Sequence, residues 1–304
     1  MNPLAAFEAL PAASRGIALM FLSAMCYAFT YVTIRHLGET FSVYQLVLFR
    51  TALGTAVMLP WALRTGGSRL RTRRWKAYGL RAVAVYTGNL CWFFALSHIT
   101  LADATTLSFM APLFSVLILA VWLREKLDAW RISAILLGLA GGVVIIRPGF
   151  AEIHIATIGM VYTAVAYGAA MAWTRSLTQT ENHNAVVFYM FAINLPVSAV
   201  PAFVHWTTPG WIDLPWIVVF GVLSLYSQTF MTKSLALAEA AVVMPTYYLQ
   251  LPLVALLGFA MFDQLPDIWL VPGAALIIGG SYLSVRAEAR KRKRAEAVPA
   301  EADR

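Results

Sequence analysis

Apolar residues recur along this chain in blocks of roughly 20, from Gly16 to Arg286. No other feature constrains the fold as much. A helix rises 1.5 Å per residue, so such a block crosses about 30 Å of hydrocarbon. Lipid offers the backbone no water to bond, and only helices or closed barrels satisfy it there. Hydrophobic residues make up 60% of the 304 positions and charged residues 12%, where a soluble domain carries about 45–50% and about 25%. The pattern predicts an all-α integral membrane protein.

Turn residues divide the blocks into ten predicted transmembrane helices, near 16–35, 43–63, 77–98, 103–123, 130–147, 156–176, 185–205, 214–235, 241–262 and 268–286. Gly66-Gly67-Ser68 follows the second and Arg147-Pro148-Gly149 closes the fifth. Thr208-Pro209-Gly210 precedes the eighth, and Leu265-Pro266-Asp267 parts the ninth from the tenth. These short connections leave no room for a soluble catalytic domain.

A net charge of +8 on a soluble domain would suggest nucleic acid, but here the basic residues flank apolar segments, and the lipid bilayer is the expected partner. With the N-terminus placed in the cytoplasm, nineteen of the 23 Lys and Arg fall on the cytoplasmic side and only Arg35 and Arg147 outside. Arg50 and Arg81 lie within span ends. Both termini are therefore predicted to be cytoplasmic. The start, MNPLAAFEALPAASRG, lacks a basic opening and a cleavage site, so the first helix is expected to target the membrane. The tail RAEARKRKRAEAVPAEADR reads as a solvated end attracted to anionic head groups. Cys26 and Cys91 sit inside apolar segments without ligand spacing, predicting neither a disulfide nor a metal site, and nothing calls for a cofactor.

The chain also repeats itself. CYAFTYVTIR at 26–35 returns as AYGAAMAWTR at 166–175, with Tyr27 to Arg35 matching Tyr167 to Arg175. Glu125, Leu127 and Gly141-Gly142 fall on Asp263, Leu265 and Gly279-Gly280 at a shift of 138. Leu101-Ala102-Asp103-Ala104 resembles Leu237-Ala238-Glu239-Ala240, and Leu59-Pro60 lies on Val200-Pro201. A repeat of five helices is odd, so its second copy must be upside down, the inverted repeat of secondary transporters. The expected organisation is a cytoplasmic segment 1–14, repeats at 15–148 and 149–286 around a central cavity, and a basic tail 287–304. Gly138-x-x-x-Gly142 is a close-packing motif, read as a contact inside the bundle, in a monomer or weak homodimer.

Two halves of five helices, the doubled tyrosine-to-arginine phrase, a proline in the fourth span and the acidic residue after it carry a resemblance. Trp122-Leu123-Arg124-Glu125-Lys126-Leu127 is echoed by Phe262-Asp263-Gln264-Leu265. Over residues 15–286 the chain resembles the drug/metabolite transporter superfamily, EamA-type, and within it the bacterial exporters of aromatic and other neutral amino acids. Asp263 departs from the glutamate usual in the family. The resemblance implies alternating-access export of a small metabolite.

Polar residues at membrane depth usually face a cavity. The third span offers Tyr86, Asn89 and Trp92, three residues apart and so on one face. The fourth offers Thr105 and Phe109 ahead of Pro112, the eighth Tyr226 and Gln228, and the ninth Tyr247, Tyr248 and Gln250 between Pro245 and Pro252. Tyr27 and Tyr167 occupy matching places in the halves. Prolines inside spans could turn freed carbonyls toward a solute amine. No Asp, Glu, Lys or His lies near a span centre, which favours a neutral or zwitterionic solute. Proton coupling would fall to Glu125, Asp263 or His98. A drug or nucleotide-sugar carrier is the alternative: a cationic drug favours a deep acid, which is missing, and phosphate would need Arg50 or Arg81. A channel would need a ring of like groups, and a membrane-embedded enzyme a cluster that the five scattered histidines do not form.

Replacing Arg71, Arg73 and Arg74 together should perturb topology, measured by cysteine labelling from either side of the membrane, while leaving substrate choice unchanged.

Overall fold

The computed structural model describes residues 11–65, 70, 72–123, 129–147, 154–178, 180–238 and 240–301. Gly66-Gly67-Ser68, Arg69, Arg71, the Arg124-Glu125-Lys126-Leu127 phrase, Pro148-Gly149, Glu239 and residues 1–10 and 302–304 of the two termini lie outside them.

The described residues form helices and no strand. In chain order these are α1 Ala12–Leu37, α2 Val43–Arg64, α3 Trp75–His98, α4 Leu101–Ser108, α5 Ala111–Leu123, α6 Ala129–Ile146 and α7 Ile155–Thr178. There follow α8 His183–Ala192, α9 Asn194–Val204, α10 Asp213–Leu237, α11 Ala240–Tyr247, α12 Gln250–Phe262 and α13 Leu270–Glu301. Eight segments are long and apolar enough to cross a membrane, and two shorter apolar helices, Ile132–Ile146 and Leu270–Arg286, accompany them.

Three expected spans are each broken in two. Proline removes a backbone donor and its ring clashes with the carbonyl four residues earlier. Pro112 faces the carbonyl of Ser108, where α4 ends; Pro196 faces that of Ala192, where α8 ends. Pro252 faces that of Tyr248, one residue beyond α11. At the first break a freed carbonyl is satisfied by protein: the Ser281 hydroxyl donates to the carbonyl of Phe109 at 3.0 Å. The carbonyl of Ser108, the one Pro112 frees, belongs to a residue of the cavity lining.

Small and hydroxylated residues bring the helices together. On α1 and α10, the Ser23 hydroxyl donates to the Ser227 carbonyl at 2.8 Å and that of Ser234 to Gly16 at 2.6 Å. On α3 and α7, Thr163 donates to the Gly88 carbonyl at 3.1 Å. Thr51 and Ser198 bond across α2 and α9. The α6–α13 contact is made at backbone level: a Cβ on Gly141 would stand 2.6 Å from the Gly273 carbonyl, and one on Gly280 2.6 Å from that of Ala134. Gly138 and Gly142 meet Leu113 and Met110, so the Gly-x-x-x-Gly motif packs within the chain.

The outer surface is greasy. Val83, Val121, Leu136, Val200 and Leu256 are all exposed on helix flanks, a face that only lipid covers without cost. Tryptophan favours the membrane–water interface, and Trp75, Trp130, Trp206, Trp211 and Trp269 are exposed near helix ends. Trp61 and Trp216 are half-buried.

Gly280→Val should destabilise the detergent-solubilised protein by about 1–3 kcal/mol, the usual cost of overpacking, read as a lower thermal midpoint. Gly79→Ala, whose added Cβ meets nothing within 4 Å, should leave the midpoint unchanged or raise it.

Candidate substrate cavity

Helical geometry decides which side chains meet at the centre of the bundle. On α3 the inward stripe is Arg81, Val85, Asn89 and Trp92, steps of four, four and three that follow the 3.6-residue turn. On α1 it is Tyr27, Thr30, Tyr31 and Ile34; on α7, Tyr167, Ala170, Met171 and Thr174. With α2, the α4–α5 joint, α8, α10 and α11 these stripes enclose a cavity of about 600 Å³. Among the described residues α6 and α13 contribute nothing to it.

At mid-depth the cavity holds a bonded polar cluster. Asn89, 2% exposed, accepts on one oxygen from Arg50 Nη1 and from the Tyr167 hydroxyl, both at 2.7 Å. Arg81, 4% exposed, donates from Nε to the Thr174 hydroxyl at 2.7 Å. Around these groups the wall is aromatic. Tyr31 meets Trp92 edge-on at 4.9 Å, and Phe109 packs against Tyr247 and Tyr248 at 5.6 and 5.2 Å. Tyr27 stands 6.1 Å from Tyr247 and directs its hydroxyl at the sulfur of Met231. Such a chamber can enclose a flat apolar body and bond a polar head.

Eight of the twelve residues singled out from the sequence meet in this lining: Tyr27, Asn89, Trp92, Phe109, Tyr167, Gln228, Tyr247 and Tyr248. Four do not. Tyr86 sits one position off the α3 stripe, its hydroxyl buried without a partner. Two steps of three turn a helix only 600°, so Tyr86 and Trp92 lie about 120° apart and cannot share one narrow face. Thr105 spends its hydroxyl on the Leu101 carbonyl of its own helix at 2.7 Å. Tyr226 is 48% exposed on the flank of α10, whose inward positions are Ser224, Ser227, Gln228 and Met231. Gln250 is fully buried beside Tyr31, just behind the wall, with neither amide atom in a well-formed hydrogen bond.

Arg50 and Arg81 are what the sequence reading underweighted. The sequence places them within span ends and as the residues that a phosphate-bearing solute would need; both line the chamber. The signal was the spacing Arg81, Val85, Asn89, Trp92, which puts Arg81 on the stripe of the amide. No acidic side chain lines the cavity among the described residues. Asp263 caps α12 in the left-handed region, and His98 stacks on Phe94 and His154 at the end of α3; neither reaches the chamber. Glu125 lies outside the described residues.

The two ends of the cavity differ. Its floor is Ile34, Phe93 and Phe220, all buried. Beyond them Arg35 donates to the carbonyls of Leu96 and Ile99 at 2.9 Å, Gln264 accepts from the Leu101 amide at 2.9 Å, and Arg147 pairs with Asp267. The opposite end, where Gly16 adjoins Ser234 and Ala238, is reached by Thr174, Leu235 and Ala236 of the lining. Leu235 and Ala236 are exposed.

A bundle of apolar helices around a closed-ended, mixed polar and aromatic chamber defines a multi-pass membrane transporter. The EamA-like transporter family profile matches residues 14–147 and again 154–286, and the chain belongs to that family, within the drug/metabolite transporter superfamily; it is not an enzyme family. The S-adenosylmethionine uptake transporter of Rickettsia prowazekii is 24% identical, over 92% of this chain and 96% of that one. The riboflavin transporter of Brucella anthropi is 25% identical over 88% and 97%, and the pseudopaline exporter of Pseudomonas aeruginosa 26% over 86% and 93%. A solved crystal structure of 20% identity shares the fold with a TM-score of 0.62, over 91% of this chain and 98% of that one.

Asn89→Ala strips Arg50 and Tyr167 of their shared acceptor, an interaction to a charged group worth about 1.5–3 kcal/mol. Transport by purified protein should fall roughly tenfold or more, as should that of Trp92→Ala. Membrane insertion, followed by fractionation and size-exclusion profile, should be preserved in both.

Proposed function

We propose that the chain is an alternating-access carrier in a bacterial plasma membrane, exporting small metabolites with a flat apolar body and a compact polar head. Aromatic and other neutral amino acids meet that description. The carrier is built from ten transmembrane helices in two inverted repeats, 15–148 and 149–286, with both termini cytoplasmic. One observation carries the reading: the helix contacts around the chamber keep their pattern when the halves are exchanged. α1 packs on α10 as α3 packs on α7, which are the first span on the eighth and the third on the sixth. α5 packs on α7 as α12 packs on α1. The breaks of the fourth and ninth spans correspond too, with joints at Phe109 and Tyr248, while the broken seventh span has an unbroken counterpart in the second; the family profile fits the chain twice.

Two such halves can trade conformations, one exposing the cavity inward and the other outward. With Arg64, Arg73, Arg74 and Lys76 on the side of the open end, the described state faces the cytoplasm, the side from which an exported solute loads. Relatives named for S-adenosylmethionine, riboflavin and pseudopaline support a chamber that takes small organic metabolites of varied kind.

In proteoliposomes, labelled phenylalanine or tryptophan should move saturably and show counterflow, which a channel does not. A proton uncoupler should leave the rate unchanged, because no carboxylate or histidine lines the chamber among the described residues. Linear, unsaturable flux without counterflow would remove the carrier reading.

A further inference from the structure

Two guanidiniums share the chamber, and among the described residues no acid answers them. A guanidinium carries five N–H donors in a planar fork. Arg50 gives Nη1 to Asn89, and Arg81 gives Nε to Thr174. Among the described residues no carboxylate lies within ion-pair distance of either, and the ion pair Arg147–Asp267 is at the far end. Burying cations without counter-charge is expensive, and the cost is relieved when an anion enters. Asn89 and Tyr167 hold Arg50 in place, so the site is formed before a solute arrives. Conversely, among the described residues no acidic acceptor in the lining answers a solute ammonium.

Resting on the carrier reading, we propose that the chamber selects organic anions: solutes whose carboxylate or other oxyanion head is bound by Arg50 and Arg81 and whose flat body lies on the Trp92, Phe109 and Tyr247 wall. The anion is preferred over the zwitterion or cation of the same body, so an amino acid is a poorer cargo than its deaminated acid. A monoanion carried alone moves one negative charge outward per cycle. The inside-negative potential of a cell drives that movement and no coupling ion is needed. One charge across 100 mV is worth about 2.3 kcal/mol, a roughly 50-fold concentration ratio.

The test uses the full-length protein in proteoliposomes, with potassium and valinomycin setting the potential. Four labelled solutes share one ring: phenylpyruvate, phenyl phosphate, phenylalanine and phenethylamine. At least one of the two anions should be carried and should compete tenfold or more better than phenylalanine. Its flux should reverse with the sign of the potential. Which anion wins separates a carboxylate site from a phosphate site. Arg50→Gln and Arg81→Gln should each erase the preference, and Arg81→Lys should restore part of it; should the glutamine variants not fold, the wild-type ranking and its potential dependence decide alone. Phenylalanine carried as well as both anions, or anion flux indifferent to the potential, would overturn the proposal while leaving the carrier reading intact. If none of the four moves or shows counterflow, both fall together.

Discussion

Within hydrocarbon every polar group must find its partner inside the protein, and that requirement organises this bundle. Hydroxyls at depth are mostly consumed by the helix that carries them: Thr105 bonds Leu101, Thr106 bonds Ala102, and Thr174 bonds Ala170. Others stitch neighbouring helices, as Ser23, Ser234 and Thr163 do. At the chamber a further set of polar groups is satisfied by one another: Arg50 and Tyr167 share Asn89, and Arg81 leans on Thr174. A lipid-facing exterior and a polar interior thus come from one rule applied at different depths.

Much of the architecture was legible because membrane helices announce themselves by length and composition alone. The blocks ending near Arg64, His98 and Phe262 coincide with real helix ends, and the doubled phrase put Tyr27 and Tyr167 into one cavity. Less legible were the joints at Phe109, Ile193 and Tyr248. Hydropathy is continuous through them, and only the backbone chemistry of Pro112, Pro196 and Pro252 marks the breaks.

The site was legible by half-turns rather than by residue type. Asn89 and Trp92 were found because amides and indoles stand out in an apolar run. Tyr86 was added by counting in threes, and the true stripe, in fours and a three, passes through Arg81 instead. Tyr226 and Gln228 are neighbours in sequence and nearly opposite on α10: one meets lipid and the other the chamber. Charge near a helix end reads as interfacial anchoring, the commoner role. The two arginines face inward instead, a direction settled by rotation about α2 and α3.

The divided spans have a mechanical consequence. α4 is eight residues, a rod about 12 Å long, and the two residues between it and α5 carry no continuous helical ladder. Ser281 moors this joint to α13 through the Phe109 carbonyl, while α5 lies against α7 of the other half. The smallest rigid piece on this side of the chamber is therefore half a span, with Phe109 as its knuckle. A wall hinged at its own aromatic contacts can fold over a guest without any long helix having to bend.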